Sequence, residues 1–545
     1  MVRSAFQHVC LAVFATVFAF IGAVPSNAGD RDAVLAEIKG ILDSNGMLPL
    51  TIKKHAPILL SFYTGDGAQL LWLASRRADG LVDRMLNARY DGLDSADYPA
   101  DFLLHLKEDS EAATAAEEAE VELWYSAHFL DYASDMKVGR ILPSKVYPEF
   151  FAEPRSVDGA GVLAALTRFN DIDRFFAAWE PFNDEYRGLS QQLRRYIEIG
   201  ENGGWPSVPP SAEGATRFSG PEGTALAGRL AAEGLLTTFS QSSDGTRALD
   251  GIIPIALKAF QARYALRPTG NVDTPTLLAM NVPVERRIEQ IALALERLRW
   301  MPETADSTSI FVNKGEGRLS VISEGRVRKS FEITLNCPLQ NGVVAAGRIR
   351  EIAINPALTV SEDYFFNRLL PRLREDPDAV ARDGYVLYEY STRQPLAAYP
   401  WNQFTMRDFR DATGRFSLHL EPGAGNPLGH LLFRADTAEE IMLFDLERER
   451  MEGECDGRLP RTAIGIKDAV GLAPFVLAAN YGNQTSLEAQ IESGRSLLYR
   501  PIDVVPIIIT YQSAWLGEDN LIRFGRDIFR EDQRLREALK GRKSQ

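Results

Sequence analysis

Between Asp30 and about Gly200, apolar residues recur three and four positions apart, as in LLWLASRRADGLVDRMLNARYDGL and AEVELWYSAHFLDYASDM. This is the spacing of one face of an α-helix, and it predicts an all-helical region. The next stretch, GENGGWPSVPPSAEGATRFSGPEG from Gly200 to Gly223, is dense in Gly, Pro and Ser and carries no period, so it reads as a boundary. Beyond it, ALAGRLAAEGLL and IPIALKAFQARYAL predict two short helices. In TGNVDTPTLLAMN, Thr274 can cap a third helix that Pro275 begins. PVERRIEQIALALERLRWMP predicts a longer amphipathic helix with Ile288, Ile291, Leu295 and Leu298 on one stripe.

From Ser309 the period falls to two. SIFVNKGEGRLSVISEGRVRKSFEITLN alternates through two or three strands, with turn signals at Lys314 to Gly317 and at Glu324 and Gly325. A helical insert is expected near Thr359 to Arg374, where Thr359 and Glu362 have capping-box spacing. Strands resume at RFSLHL, HLLFRA, EIMLFD and PIIITYQSAWL. Helical regions followed by a strand-rich one make an α+β, multidomain chain.

Composition narrows this picture. At 545 residues the chain is too long for one core. Its 45% hydrophobic and 25% charged residues are ordinary for packed domains. The first 28 residues read as a secretory signal peptide: Arg3 is the lone charge, Val9 to Val24 is apolar, and SNA ends at Ala28 with small residues. No later stretch reaches the roughly 18 apolar residues of a spanning helix, so no transmembrane segment is expected in the mature chain. Loss of Arg3 takes the formal charge from −14 to −15, which argues against nucleic acid held by bulk charge. Cys10 leaves with the signal, and Cys337 and Cys455 remain in a compartment where they could pair. No Cys or His cluster has metal-site spacing, and no cofactor is implied.

Several segments together resemble the large periplasmic L,D-transpeptidases of bacteria. They are ARYDGLDSADY and LDYASDMKVGR in the helical region, GGWP at Gly203 to Pro206, and the run FQARYALRPTGNVDTPTLLAMNVPVERRIEQIALALERLRWMP. In the strand-rich region, INP at Ile354 to Pro356, PGAGNPLG and TYQSAWLGEDNLIRFGRDIF continue the likeness. The resemblance implies a helical scaffold domain over 29–200, a linker and three-helix peptidoglycan-binding-like module over 201–283, and a connecting helix over 284–306. It further implies an L,D-transpeptidase-like β domain over 307–530 with a helical lid insertion at about 358–411. A charged tail, 531–545, would follow. It also implies a periplasmic location and peptidoglycan or its stem peptides as partner, with other cell-wall enzymes as further candidates. Asn271, Asp273 and Thr274 of the module, and Asn426 and Gly429 of the β domain, become candidate substrate-binding residues. For the three module residues the turn and the cap already explain their types.

The family's enzymes attack an L,D-peptide bond with cysteine, and a thiol near pKa 8.5 needs an imidazole to activate it and backbone N–H groups to meet the oxyanion. The resemblance places these functions in a Ser-His-Gly-Cys-x-Arg segment before an Asp-initiated helix, and in a His at the end of the preceding strand. Anchored on IKDAVGLA, where Asp468 can cap the next helix, those positions fall on Pro460, Arg461, Thr462, Ala463 and Gly465, and the strand-end position on Phe444. The spacing is kept and the reactive groups are absent. The lid departs too, with Leu358 and Ser361 where an aromatic residue and a proline are usual.

Cys455 is the fallback nucleophile, although Glu452, Glu454 and Asp456 raise a neighbouring thiol's pKa. His419 and His430 lie on expected strands, where surface or satisfied roles are the ordinary ones. Three readings follow: a degenerate transpeptidase that binds wall or partner enzymes, an active enzyme using Cys455, and a purely structural partner in wall synthesis. If only the chemical groups have been lost, Ala463→Cys with Arg461→His and Thr462→Gly is expected to place a reactive thiol at the mouth of the cleft.

Overall fold

The computed structural model describes residues 31–542 except 45–47, 74, 109–113, 148–155, 182–183, 216–217, 219, 237–244, 302–307, 336–343, 390–391, 393, 396–400, 404, 406–415, 424, 438–440, 447–456, 460–461, 478–483 and 502–503. Cys337, Cys455, Pro460 and Arg461 therefore lie outside the described residues. The chain is α+β, and it divides into two compact units: the described residues of Met1–Val138 with Ser156–Glu180, and those of Gly139–Arg155 with Pro181–Gln545.

The first unit is helical: α1 (Arg31–Asp43), α2 (Leu50–Thr64), α3 (Arg77–Leu86), α4 (Ala100–Glu108), α5 (Ala115–Val138), α6 (Gly159–Leu166) and α7 (Ile172–Trp179). Its centre is α5, which buries Leu123, Tyr125, Phe129, Tyr132 and Met136. A wholly buried carboxylate, Glu122, accepts the backbone N–H groups of Leu71, Trp72 and Leu73 at 2.8–2.9 Å and the Tyr63 hydroxyl at 2.8 Å. It thereby satisfies donors that a loop crossing the core would otherwise leave unpaired. ARYDGLDSADY and LDYASDMKVGR meet reciprocally: Tyr132 donates to Asp91 at 2.6 Å, and Tyr98 donates to Asp135 at 2.9 Å.

The second unit begins its long helices with α8 (Asp184–Glu201), followed by α9 (Gly220–Ala232), α10 (Gly245–Arg263), α11 (Thr274–Met280) and α12 (Val284–Arg299). Asp273, not Thr274, caps α11, accepting from the Thr276 N–H at 2.9 Å; Thr274 is the first helical residue and Pro275 the second. The single stripe expected on α12 holds only for its first half. From Leu293 to Arg299 every residue is buried, charged ones included. Those charges are paired: Arg297 with Asp532 at 2.7 Å, and Glu296 with Arg299 at 3.2 Å and Arg140 at 3.3 Å.

Strands β1 (Ser309–Asn313), β2 (Arg318–Ser323), β3 (Arg326–Leu335), β4 (Ala345–Ile354), β8 (Leu431–Ala435), β9 (Ile441–Asp445), β10 (Ile464–Ile466) and β12 (Val505–Thr510) form one sheet, ordered β4-β12-β1-β2-β3-β10-β9-β8. Pairing of β4 with β8 closes it into an eight-stranded barrel, and β11 (Leu497–Tyr499) adds beside β4. The β2–β3 turn falls at Glu324 and Gly325, both with positive φ, as a tight hairpin requires. Alternate residues, among them Val312, Val321, Ile333, Ile352, Phe433, Leu443, Ile464 and Ile507, fill the interior together with α15 (Ala469–Leu477) and α16 (Gln484–Glu492). Asp468 caps α15 through the Gly471 N–H at 2.8 Å.

The insertion between β4 and β8 is not purely helical and runs past 411. β5 (Leu358–Thr359), β7 (Phe416–Leu420) and β6 (Tyr385–Glu389) form a three-stranded sheet in that order. RFSLHL thus belongs to the cover over the barrel rather than to the barrel. A turn at Glu362–Tyr364 leads through a π-helical turn, Phe365–Leu369, into α13 (Leu370–Glu375) and α14 (Ala379–Arg382). Ser361 caps that first turn through the Tyr364 N–H at 3.3 Å, while Thr359 is consumed by β5, so the expected capping box is absent. The hairpin β13 (Ala514–Leu516) and β14 (Ile522–Phe524) follows β12. The expected tail forms α17 (Glu531–Arg542), anchored by Asp532 on Arg297.

Lys314 opens the β1–β2 turn with 5% of its surface exposed. Burial pushes its ammonium down to about 7, with Glu531 pulling the other way. Unfolded, it titrates near 10.5, so between these values the unfolded chain binds more protons and stability rises with pH. Lys314→Met is expected to flatten the rise in urea midpoint between about pH 7.5 and 9.5. An unchanged slope would show that another group carries it.

Candidate functional site

Of the positions expected to hold the chemistry, Phe444, Ala463 and Gly465 are brought together on one face. In the parallel pair β9–β10, Gly465 is the register partner of Phe444, and Ile464 of Leu443. Leu443 and Ile464 point into the barrel, so Phe444, Ala463 and Gly465 point outward. There they meet the cover. Ala463 and Phe444 are both fully buried, in a cluster with Leu358, Phe365, Leu369, Leu428, Leu432 and Leu459. Ser361 reinforces the closure, its hydroxyl donating to the Gly457 carbonyl at 3.1 Å.

Phe444 and Gly465 are complementary in volume. A Cβ added at Gly465 would lie 3.2 Å from the Phe444 ring tip and 3.3 Å from Leu446. The ring therefore occupies the space through which a side chain at 465 would leave the strand. Ala463 supplies a methyl group, and the Thr462 hydroxyl, itself buried, is an ordinary alcohol that needs a base before it can attack. Phe365 and Leu369 reach the cluster from a segment with no spacing relation to it, which no sequence signal marked, whereas Leu459 lies four residues before Ala463.

His419, on β7, bonds Ser417 at 2.8 Å and Thr359 at 3.4 Å and stands edge-on to the Tyr388 ring; burial lowers its pKa. The backbone N–H of His430 donates to the Asp445 carboxylate at 3.3 Å.

The candidate substrate-binding residues of this unit are engaged in building it. Asn426, 5% exposed, donates from its amide to the carbonyls of Pro356, Leu420 and Glu421 at 2.8–3.3 Å and accepts from Leu428 at 3.0 Å. Gly429 has φ +60, and a Cβ there would lie 2.4 Å from the Asp445 carbonyl, which requires glycine. Asn355 of INP, at φ +46, donates to the carbonyls of Gln490, Ile491 and Arg495 and so closes the end of α16. In the three-helix segment, Asp273 is the cap, the Thr274 hydroxyl donates to Glu213, and the Asn271 carbonyl accepts from Gln261 at 2.8 Å while its surface stays exposed.

Comparison with known proteins adds one family match: a scaffold-domain model covers residues 57–193. No curated protein matches the chain. Among the described residues, no helix is long and apolar enough to cross a membrane.

Proposed function

We propose that this chain is an exported, periplasmic protein of the L,D-transpeptidase type that no longer transfers acyl groups and serves peptidoglycan assembly or remodelling by binding the wall or its enzymes. The observation that carries the reading is the fully buried alanine at 463, packed with Phe444 beneath the cover. Covalent catalysis needs a nucleophile, a base and room for a carbonyl beside them. The described part of this face offers methyl, phenyl and leucine side chains instead. The scaffold-domain match over 57–193 lies in the region that the resemblance reads as scaffold, and the barrel with its cover lies where it reads the β domain.

Tetrapeptide muropeptides incubated with the purified protein are expected to remain unchanged, and a carbapenem to leave its intact mass unaltered. Turnover abolished by Cys455→Ser would replace this reading with an active enzyme using that thiol. Binding is tested by sedimentation with purified sacculi. Retention supports the wall-binding role, and failure to sediment leaves protein partners as its target.

A further inference from the structure

Arginines from three helical segments converge on Glu233, the residue that follows α9. Arg195 of α8 and Arg263 of α10 donate to its backbone carbonyl at 2.6 and 3.2 Å. Arg229, one turn earlier, pairs with its carboxylate at 2.8 Å with both side chains fully buried. The other carboxylate oxygen is taken by the hydroxyls of Tyr196 and Tyr264, each at 2.5 Å. Burial alone would raise the Glu233 pKa, yet Arg229 and Arg263 hold it below the usual carboxylate range.

Charge does not balance here. Arg195, Arg229, Arg263 and Arg287 all stand around this one carboxylate, so positive charge is in excess. Among the described residues neither Arg195 nor Arg263 has a carboxylate within ion-pair distance, and what they share is a neutral carbonyl. Arg263 is 4% exposed, and its buried Nε–H has no hydrogen-bond partner. Two cations side by side, one deeply buried, are costly unless a counter-charge joins them. The guanidinium fork matches the spacing of carboxylate and phosphate oxygens.

The approach is open on the Arg195 side. Arg195 is half-buried, and the next residue after Glu233, Gly234, is exposed with φ +69. A Cβ at Gly234 would lie 2.9 Å from Arg195 Nη2, so any side chain there would crowd the guanidinium.

We propose that Arg195 and Arg263 form a binding site for a small oxyanion, a carboxylate or a phosphate, that enters beside Gly234. This site stands independently of the proposed function. The test is thermal unfolding of the purified protein titrated with sodium phosphate and, separately, sodium acetate, with sodium chloride holding the ionic strength constant. A saturable rise in Tm is expected with at least one probe. Phosphate alone would point to a phosphorylated or free phosphate ligand, and acetate to a carboxylate. Arg195→Gln should remove the rise while leaving the Arg229–Glu233–tyrosine core intact. Arg195→Lys, which keeps the charge but not the fork, should move the midpoint to at least roughly tenfold higher concentration; it decides the matter where Arg195→Gln does not fold. No saturable rise over chloride, or the same midpoint in the variants, overturns the proposal.

Discussion

Gly465→Arg is expected to destabilise the protein by roughly 3–5 kcal/mol, although arginine is what the transpeptidase motif carries at this position. The new Cβ would meet the Phe444 ring at 3.2 Å and Leu446 at 3.3 Å. Phe444 belongs to a strand paired on both sides, and the backbone N–H of Leu446 just beyond it donates to the Ile466 carbonyl at 2.9 Å, so neither can withdraw without cost to these bonds. The guanidinium would then stand in an apolar cluster, where an unpaired charge costs several kcal/mol. Phe444→His should recover part of the loss in the double variant, because the smaller ring vacates the space near Cζ. The two substitutions should couple by at least about 1 kcal/mol. Urea unfolding of the parent, both single variants and the double variant measures this directly. Additivity within about 0.5 kcal/mol would mean that the ring and the missing side chain are unrelated.

That coupling also shows what the sequence could and could not reveal. The helices and strands were legible because each buries one face, and a face imposes a period; the order of the barrel strands adds what no period contains. Local chemistry near helix starts was misread twice for one reason. At each place two nearby residues carry capping side chains, and backbone direction selects Asp273 over Thr274 and Ser361 over Thr359. The tail looked merely charged because Asp532 faces an arginine on α12 more than 200 positions away. The quoted motifs were legible as a resemblance, yet Asn355, Asn426 and Gly429 turn out to join backbone segments that the topology brings together. The register of Phe444 with Gly465 follows from spacing, whereas the closure over Ala463 depends on Phe365 and Leu369, roughly a hundred residues earlier in the chain.

Ala463→Cys tests that closure. From sequence alone the restored thiol belongs at the mouth of a cleft. In the structure residue 463 is fully buried, so the thiol should be shielded, and its pKa raised by apolar surroundings. Labelling by a thiol reagent, read by mass on the peptide that carries residue 463, is expected to be at least roughly 100-fold slower in the folded protein than in urea. That ratio corresponds to a local opening that costs about 2.7 kcal/mol. Ser361→Ala, which removes the hydrogen bond to the Gly457 carbonyl, should narrow the difference without unfolding the barrel, whose interior is a separate cluster. Adding Arg461→His, Thr462→Gly, Phe444→His and Gly465→Arg supplies the family's reactive groups, but a carbapenem must still reach them through the cover. The revertant is expected to stay unacylated while residue 463 stays slow to label. If the folded Ala463→Cys protein labels as fast as the unfolded one, the cover opens freely. The side chains on this face, rather than access to it, would then be what limits reaction with a carbapenem.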